Sequence, residues 1–156
     1  MVRNLDPQLV TQIEEICVAR GVRLTPQRKR VFELICASPK ASSAYELLEE
    51  LKLSEPQAKP PTVYRALDFL LEQGFIHRVE STNSFIQCCS CNAHKHFSHL
   101  LICDKCGNVI ELQDDSLIAL LADNAERHGF RLTNHVIESH GTCQSCSADK
   151  VQQVAQ

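Results

Sequence analysis

Two Cys-x-x-Cys pairs, CDKC at 103–106 and CQSC at 143–146, constrain this chain more than any other feature. Each pair presents two thiolates from one tight turn, and Gly107 directly after the first suits such a turn. Two such knuckles together give four sulfur ligands in a tetrahedron, which suits zinc and leaves no coordination position open. The stretch between them is longer than in a compact zinc ribbon, so a complete β-α-β excursion must lie there. The sequence supplies one: NVIEL as a strand, Asp114–His128 as a helix closed by Gly129, and FRLTNHVIES as a strand. The competing readings are a redox dithiol and inert buried thiols. A thioredoxin-like motif uses one pair at the start of a helix, not two pairs. The pattern therefore points to a structural zinc held by Cys103, Cys106, Cys143 and Cys146.

The remaining composition agrees with a metal protein. Nine cysteines in 156 residues is an odd number for a disulfide framework and many for a reduced enzyme. No stretch approaches the roughly 20 apolar residues that cross a bilayer. MVRNLDPQLV lacks the apolar run of a signal peptide, so the expected compartment is the cytoplasm, where disulfides are uncommon. A 44% hydrophobic fraction permits a real core, and a net charge of −3 argues against a protein that coats nucleic acid generally. A local basic face remains open to it, because residues 20–30 (RGVRLTPQRKR) hold five Arg/Lys and no acid.

The two halves differ in chemistry. Residues 1–83 carry 11 basic and 11 acidic side chains, whereas 84–156 carry 5 and 8 and seven of the cysteines lie beyond residue 87. A boundary is expected near Ser81–Ser84, where STNS reads as a turn: a first domain over 1–83, a second over 84–156, and a hinge at about 81–90. The first half reads as short helices. Leu9, Ile13, Ile16 and Cys17 recur at helical spacing up to Gly21. Thr25-Pro26 is an N-cap with a first-turn proline ahead of Val31, Phe32, Leu34 and Ile35. Ser43 with Glu46 forms a capping box before Leu47, Leu48 and Leu51. A last helix runs from Thr62 to Gln73, started by Pro60-Pro61 and closed by Gly74, with Val63, Ala66, Leu67, Leu70 and Leu71 on one face. FIHRVE and SFIQC then read as a hairpin. Cys17 and Cys36 fall on apolar faces and read as small core residues. His128 next to Gly129 suits a helix C-terminus, where a positive charge is favoured.

Helices followed by a hairpin match a winged helix-turn-helix, so the fold class is α+β: a winged helix followed by a small α/β domain with the four-cysteine site. In such a module one helix enters the major groove with its N-terminal side chains toward base edges. Arg65 suits a guanine edge, and Tyr64 and Thr62 suit phosphates or a thymine methyl. Lys59, Arg28 and Tyr45 suit the phosphate backbone. The alternative is a small helical bundle with solvated polar faces.

A second constellation is less regular. His77, Cys88, Cys89, Cys91, His94, His96, His99 and Glu111 crowd the boundary between the halves. A mixed N/S/O set binds zinc more weakly than four thiolates, which suits a sensor. Spacing alone does not choose four ligands among them, and any one of these histidines taken singly reads as an exposed loop residue.

RLTPQR, PPTVYRALDFLLEQGFIHRVES, HLLICDKCGNVIEL and LTNHVIESHGTCQSC, in that order over roughly 8–146, resemble the ferric uptake regulator family. EPQAKPPTVYRALDFLLEQGF is similar in particular to the zinc uptake regulators within it. The resemblance implies a homodimeric, metal-dependent repressor with a C-terminal α/β dimerisation domain. It binds a palindromic operator in double-stranded DNA, with two dimers on one operator as an open variant, and controls zinc uptake genes. The resemblance further implies two zinc ions per subunit. Cys103, Cys106, Cys143 and Cys146 match the structural cysteines, and the hinge site maps to His77, Cys88, His96 and Glu111. The thiolate at Cys88 favours zinc over the iron of all-N/O relatives. Cys89, Cys91 and His94 stand as substitutes. His99 and His135 resemble part of a further site, but Ile118 stands where that site has a carboxylate. A zinc enzyme such as a nucleobase deaminase is the rival of another class. It needs a His-x-Glu paired with Pro-Cys-x-x-Cys, which the chain lacks. A zinc-stabilised interaction module that does not bind DNA is the other.

Overall fold

A computed structural model of the chain describes residues 7–89, 98–132 and 136–148. The chain divides into two compact units, Met1–His94 and Lys95–Gln156.

The first unit runs α1 (Pro7–Ala19), α2 (Pro26–Ala37), β1 (Ser42–Ser43), α3 (Ala44–Ser54), α4 (Pro60–Glu72), β2 (Ile76–Val79) and β3 (Ser84–Gln87). Local chemistry sets the helix ends. The Thr25 side chain accepts the Arg28 N–H at the start of α2. At α3 the Ser43 side chain accepts the Glu46 N–H, while the Glu46 carboxylate accepts the Ser43 N–H. Helices α1 and α4 end alike. Gly21 and Gly74 take φ of +68° and +72°. Beyond them Val22 and Phe75 donate back to the Cys17 and Leu70 carbonyls, and the two glycines donate to Val18 and Leu71. These paired bonds are Schellman motifs, which need a left-handed residue that glycine adopts without a Cβ penalty.

β1, β3 and β2 form an antiparallel sheet in that order. Asn83, at φ +48°, makes the turn between β2 and β3. Four helices with a hairpin wing make this unit a winged helix-turn-helix. Its core joins Ile13 and Cys17 of α1, Val31, Phe32, Ile35 and Cys36 of α2, Leu47, Leu48 and Leu51 of α3, the apolar face of α4, and Phe75. Each fully buried Leu, Ile or Phe contributes roughly 1.5–3 kcal/mol.

The STNS turn expected as the domain boundary lies inside this sheet. β3 pairs with both β1 and β2, so the turn joins two strands of one unit, and the division falls at His94 instead. Of the expected hinge at 81–90, residue 90 lies outside the described residues.

The second unit runs β4 (Ser98–Cys103), β5 (Val109–Leu112), α5 (Asp115–Arg127), β6 (Val136–Gly141) and α6 (Gln144–Ala148). β4 is the central strand, antiparallel to β5 and parallel to β6. The helix begins as expected, with the Asp114 carboxylate accepting the N–H groups of Ser116 and Leu117. Of the second strand of the expected excursion, FRLTNHVIES, residues 130–132 are not strand, 133–135 lie outside the described residues, and Val136–Gly141 is strand. The two excursion strands are not neighbours, because β4 lies between them.

Candidate functional site

Sheet register builds the thiol cluster. β4 and β6 run parallel with Cys103 opposite Gly141, so both chains leave the sheet at the same end. Past β4 the chain turns at once: Gly107 donates to the Cys103 carbonyl at 2.8 Å with φ +69°, and Cys103 donates to Asn108 at 2.9 Å. Past β6 it enters α6, where Ser147 donates to the Cys143 carbonyl. The two turns are tied together by Asp104 N–H on the Gly141 carbonyl at 2.9 Å and by Lys105 Nζ on the Cys146 carbonyl at 3.1 Å.

The Sγ atoms of Cys103, Cys106, Cys143 and Cys146 all lie within 4.8 Å of one another, and Cys106 Sγ is 3.7 Å from Cys143 Sγ. A Zn–S bond of about 2.3 Å implies a tetrahedron edge of about 3.8 Å, so the donor set fits a four-thiolate zinc. The polar surroundings favour a thiolate. Cys143 N–H donates to Cys103 Sγ at 3.3 Å. That bond, with the Cys106 N–H, lowers the Cys103 thiol to about 6, whereas hydrogen bonds with Cys143 and Cys106 push Cys146 up to about 12. The Cys103 sulfur therefore carries a negative charge more readily than that of Cys146, and a metal that takes thiolate ligands displaces their protons. Beside it Asp104 Oδ1 accepts from His140 Nδ1 at 2.9 Å, which pushes the His140 ring up.

Of the second constellation, His77 lies on β2 and is buried, and Cys88 is fully buried directly after β3, donating its N–H to Phe75. Their donor atoms lie within 4.8 Å of each other. Glu111, on β5 of the second unit, accepts a 2.7 Å hydrogen bond from Ser98 Oγ. Cys89 is exposed. His99 Nε2 is 2.7 Å from Ser139 Oγ, and Ile118 is half-buried on α5. His96, Cys91, His94 and His135 lie outside the described residues.

The residues singled out for DNA sit on α4 and its neighbours. Val63, Ala66, Leu67, Phe69 and Leu70 of α4 are buried, which turns Tyr64, Arg65 and Asp68 outward, with Tyr64 53% exposed. Thr62 is half-buried, and Lys59 is exposed at the N-cap. Tyr45 is 72% exposed on α3. Arg28 differs: its guanidinium lies 3.8 Å from the Phe69 ring centroid and donates to the Arg23 carbonyl at 2.6 Å. Other cations of the same basic run are also engaged within the unit, Lys29 with Glu14 and Arg30 with Glu33. Sequence reasoning missed these partners because Phe69 stands beside the apolar stripe, and its burial depends on α2.

A winged-helix unit followed by an α/β unit that gathers four thiols defines a metal-binding winged-helix protein. The profile of the ferric uptake regulator family matches residues 19–140, and the chain belongs to that family. It is 49% identical over 146 residues to the zinc uptake regulation protein of Escherichia coli (strain K12), covering 94% of this chain and 85% of that one. A solved zinc uptake regulator complexed with zinc and DNA is 49% identical with a TM-score of 0.88, over 92% of this chain and 96% of that one. The crystal structure of holo XcZur is 41% identical with a TM-score of 0.83, over 90% and 98%.

Proposed function

We propose that this chain is a zinc-responsive transcriptional repressor that binds palindromic operator DNA as a dimer when a regulatory zinc site is filled, controlling zinc uptake genes. The observation that carries the reading is the four-thiol cluster in a chain 49% identical to a zinc uptake regulator solved with zinc and DNA.

Cys103, Cys106, Cys143 and Cys146 are the structural ligands, tying the end of β4 to the end of β6. His77, Cys88, His96 and Glu111 are the regulatory ligands, a reading supported in the first unit by the adjacent His77 and Cys88 donors. Zinc supplies electrostatic cross-linking at both sites and no reaction. On DNA, Tyr64, Arg65 and Thr62 read the groove from α4, and Tyr45, Lys59 and Arg28 hold the backbone, Arg28 through the donors that Arg23 leaves over. A dimer is supported by the second unit's exposed Leu101, Ile110, Leu112, Leu120 and Phe130, of which Leu101 and Ile110 are cross-strand partners. A filled regulatory site holds the two reader helices of the dimer at one spacing, which suits a palindrome.

The test is DNA binding by the full chain at buffered free Zn(II), Fe(II) and Mn(II), on its own promoter region and on a scrambled duplex. Operator binding that appears at the lowest free metal with zinc is expected, and Arg65→Ala should lose about 1–3 kcal/mol of discrimination. Equal wild-type binding to both duplexes would sink the reading.

A further inference from the structure

Helix α4 is fixed at the end far from its reading residues, by a side chain from α1. Both α1 and α4 end in Schellman motifs, and their C-cap residues are Arg20 and Gln73. Arg20 reaches across so that one guanidinium N–H group donates to the Gln73 backbone carbonyl at 2.6 Å, with Gln73 Oε1 at 3.4 Å. That carbonyl belongs to the last turn of α4, where carbonyls lack partners within the helix and the helix dipole favours a cation. The Arg20 guanidinium also lies 5.5 Å from the centroid of Phe75, which is fully buried and set edge-on to Phe32 of α2, centroids 6.3 Å apart. One cation therefore joins the ends of α1 and α4 through a charge-assisted hydrogen bond and a ring contact.

We propose that Arg20 is a positioning residue for sequence reading, setting the tilt of α4 without touching DNA. The proposal rests on the reading of α4 as the DNA-recognition helix. Arg65 lies eight residues from Gln73, about 12 Å along the axis, so a tilt of about 10° at the Gln73 end displaces it by about 2 Å. A hydrogen bond to a base edge does not survive that displacement, whereas contacts that merely attract phosphates do. Arg28, stacked on Phe69 in the last turn of α4, supports the same helix from α2. Its remaining donors make it an ambiguous probe, so Arg20 is the residue to test.

The experiment uses the full zinc-loaded chain and a duplex that the wild-type protein has selected from a random library, with a scrambled duplex beside it. Affinities for both are measured over a salt series for wild type, Arg20→Met and Arg20→Lys, together with zinc content. Arg20→Met is expected to lose about tenfold in the ratio of selected to scrambled affinity, the equivalent of one base contact. Its scrambled affinity, salt slope and zinc content should match wild type. Arg20→Lys, which keeps the charge and the ability to donate but loses the planar guanidinium, should fall between the two, and decides the matter alone if the methionine variant does not fold. A fall in both affinities with a salt slope reduced by about 1 marks Arg20 as a phosphate contact and overturns the proposal. A fall in both at an unchanged ratio marks a loss of folded protein and also overturns it. If wild type does not prefer its selected duplex, the DNA reading itself fails, an outcome separate from the other two.

Discussion

In the first unit, α2, α3 and α4 each bury three or more apolar side chains completely or nearly so, and Phe32, Phe75, Leu51 and Leu70 are wholly enclosed. In the second, α5 buries none fully, and among the described residues the buried apolar side chains are Leu100, Ile102, Cys103 and Val109. The helix is still well made for its length, with Asp114 at its N-cap and a Schellman end at Gly129 and Phe130. Local signals therefore set the helix without giving it an enclosed core. Small domains short of buried apolar area depend on staples such as metal sites. The thiol cluster sits where a staple acts best, joining two strands that leave one sheet at the same end.

This contrast can be broken by experiment. The largest effect is expected from Cys143→Ser, which removes one thiol of the cluster. Structural zinc contributes about 10–16 kcal/mol to small metal-dependent folds. The variant should therefore lose that zinc and the hydrogen-exchange protection of β4 and β6, while α2 to α4 stay protected. Retained protection in β4 would show that the second unit is held by its core after all. The converse is Phe75→Ala, expected to cost about 3–5 kcal/mol. Urea denaturation followed by exchange should show the loss in the first unit alone, with the four-cysteine zinc still bound.

A smaller effect separates the two units by pH. The Ser43 backbone N–H and hydroxyl hold the Glu46 carboxyl below the usual carboxylate range. A folded-state value below the unfolded one gives stability that is present above the ordinary glutamate pKa of about 4.3 and is lost as pH falls through the lowered value. The stability gap between wild type and Glu46→Gln should therefore be open at neutral pH and close below about pH 4. A gap that is constant with pH would mean that the capping box acts through shape alone. For scale, Ser43→Ala should cost about 0.5–2 kcal/mol at neutral pH.

Much of this fold is legible in the sequence because its signals are local. Thr25-Pro26, the Ser43/Glu46 box, Pro60-Pro61 and the glycines at 21, 74 and 129 each mark a helix end through bonds within a few residues. The four cysteines are legible for the same reason, since each knuckle is a single tight turn. What escaped the sequence is set by distant partners. β1 is two residues long and exists only because Phe85 and Ser84 pair with it. That the STNS turn lies within the first unit follows from β3 pairing twice, and no local residue announces it. Arg20 and Arg28 sit in a basic run that suggests nucleic acid, yet Gln73 and Phe69, far along the chain, engage them first. The proposed regulatory ligands are the extreme case, because a mixed set scattered from residue 77 to 111 has no repeating spacing to read.

The central claim is that the four-thiol zinc maintains the fold while a weaker zinc governs DNA binding. The direct test is stepwise chelation of the zinc-loaded chain, with metal content and operator affinity measured on the same samples. The account predicts two classes of zinc, with operator affinity lost as the weaker class leaves and β4 and β6 still protected at that point. Operator binding that persists until the last zinc is removed would contradict it, and with it the assignment of His77, Cys88, His96 and Glu111.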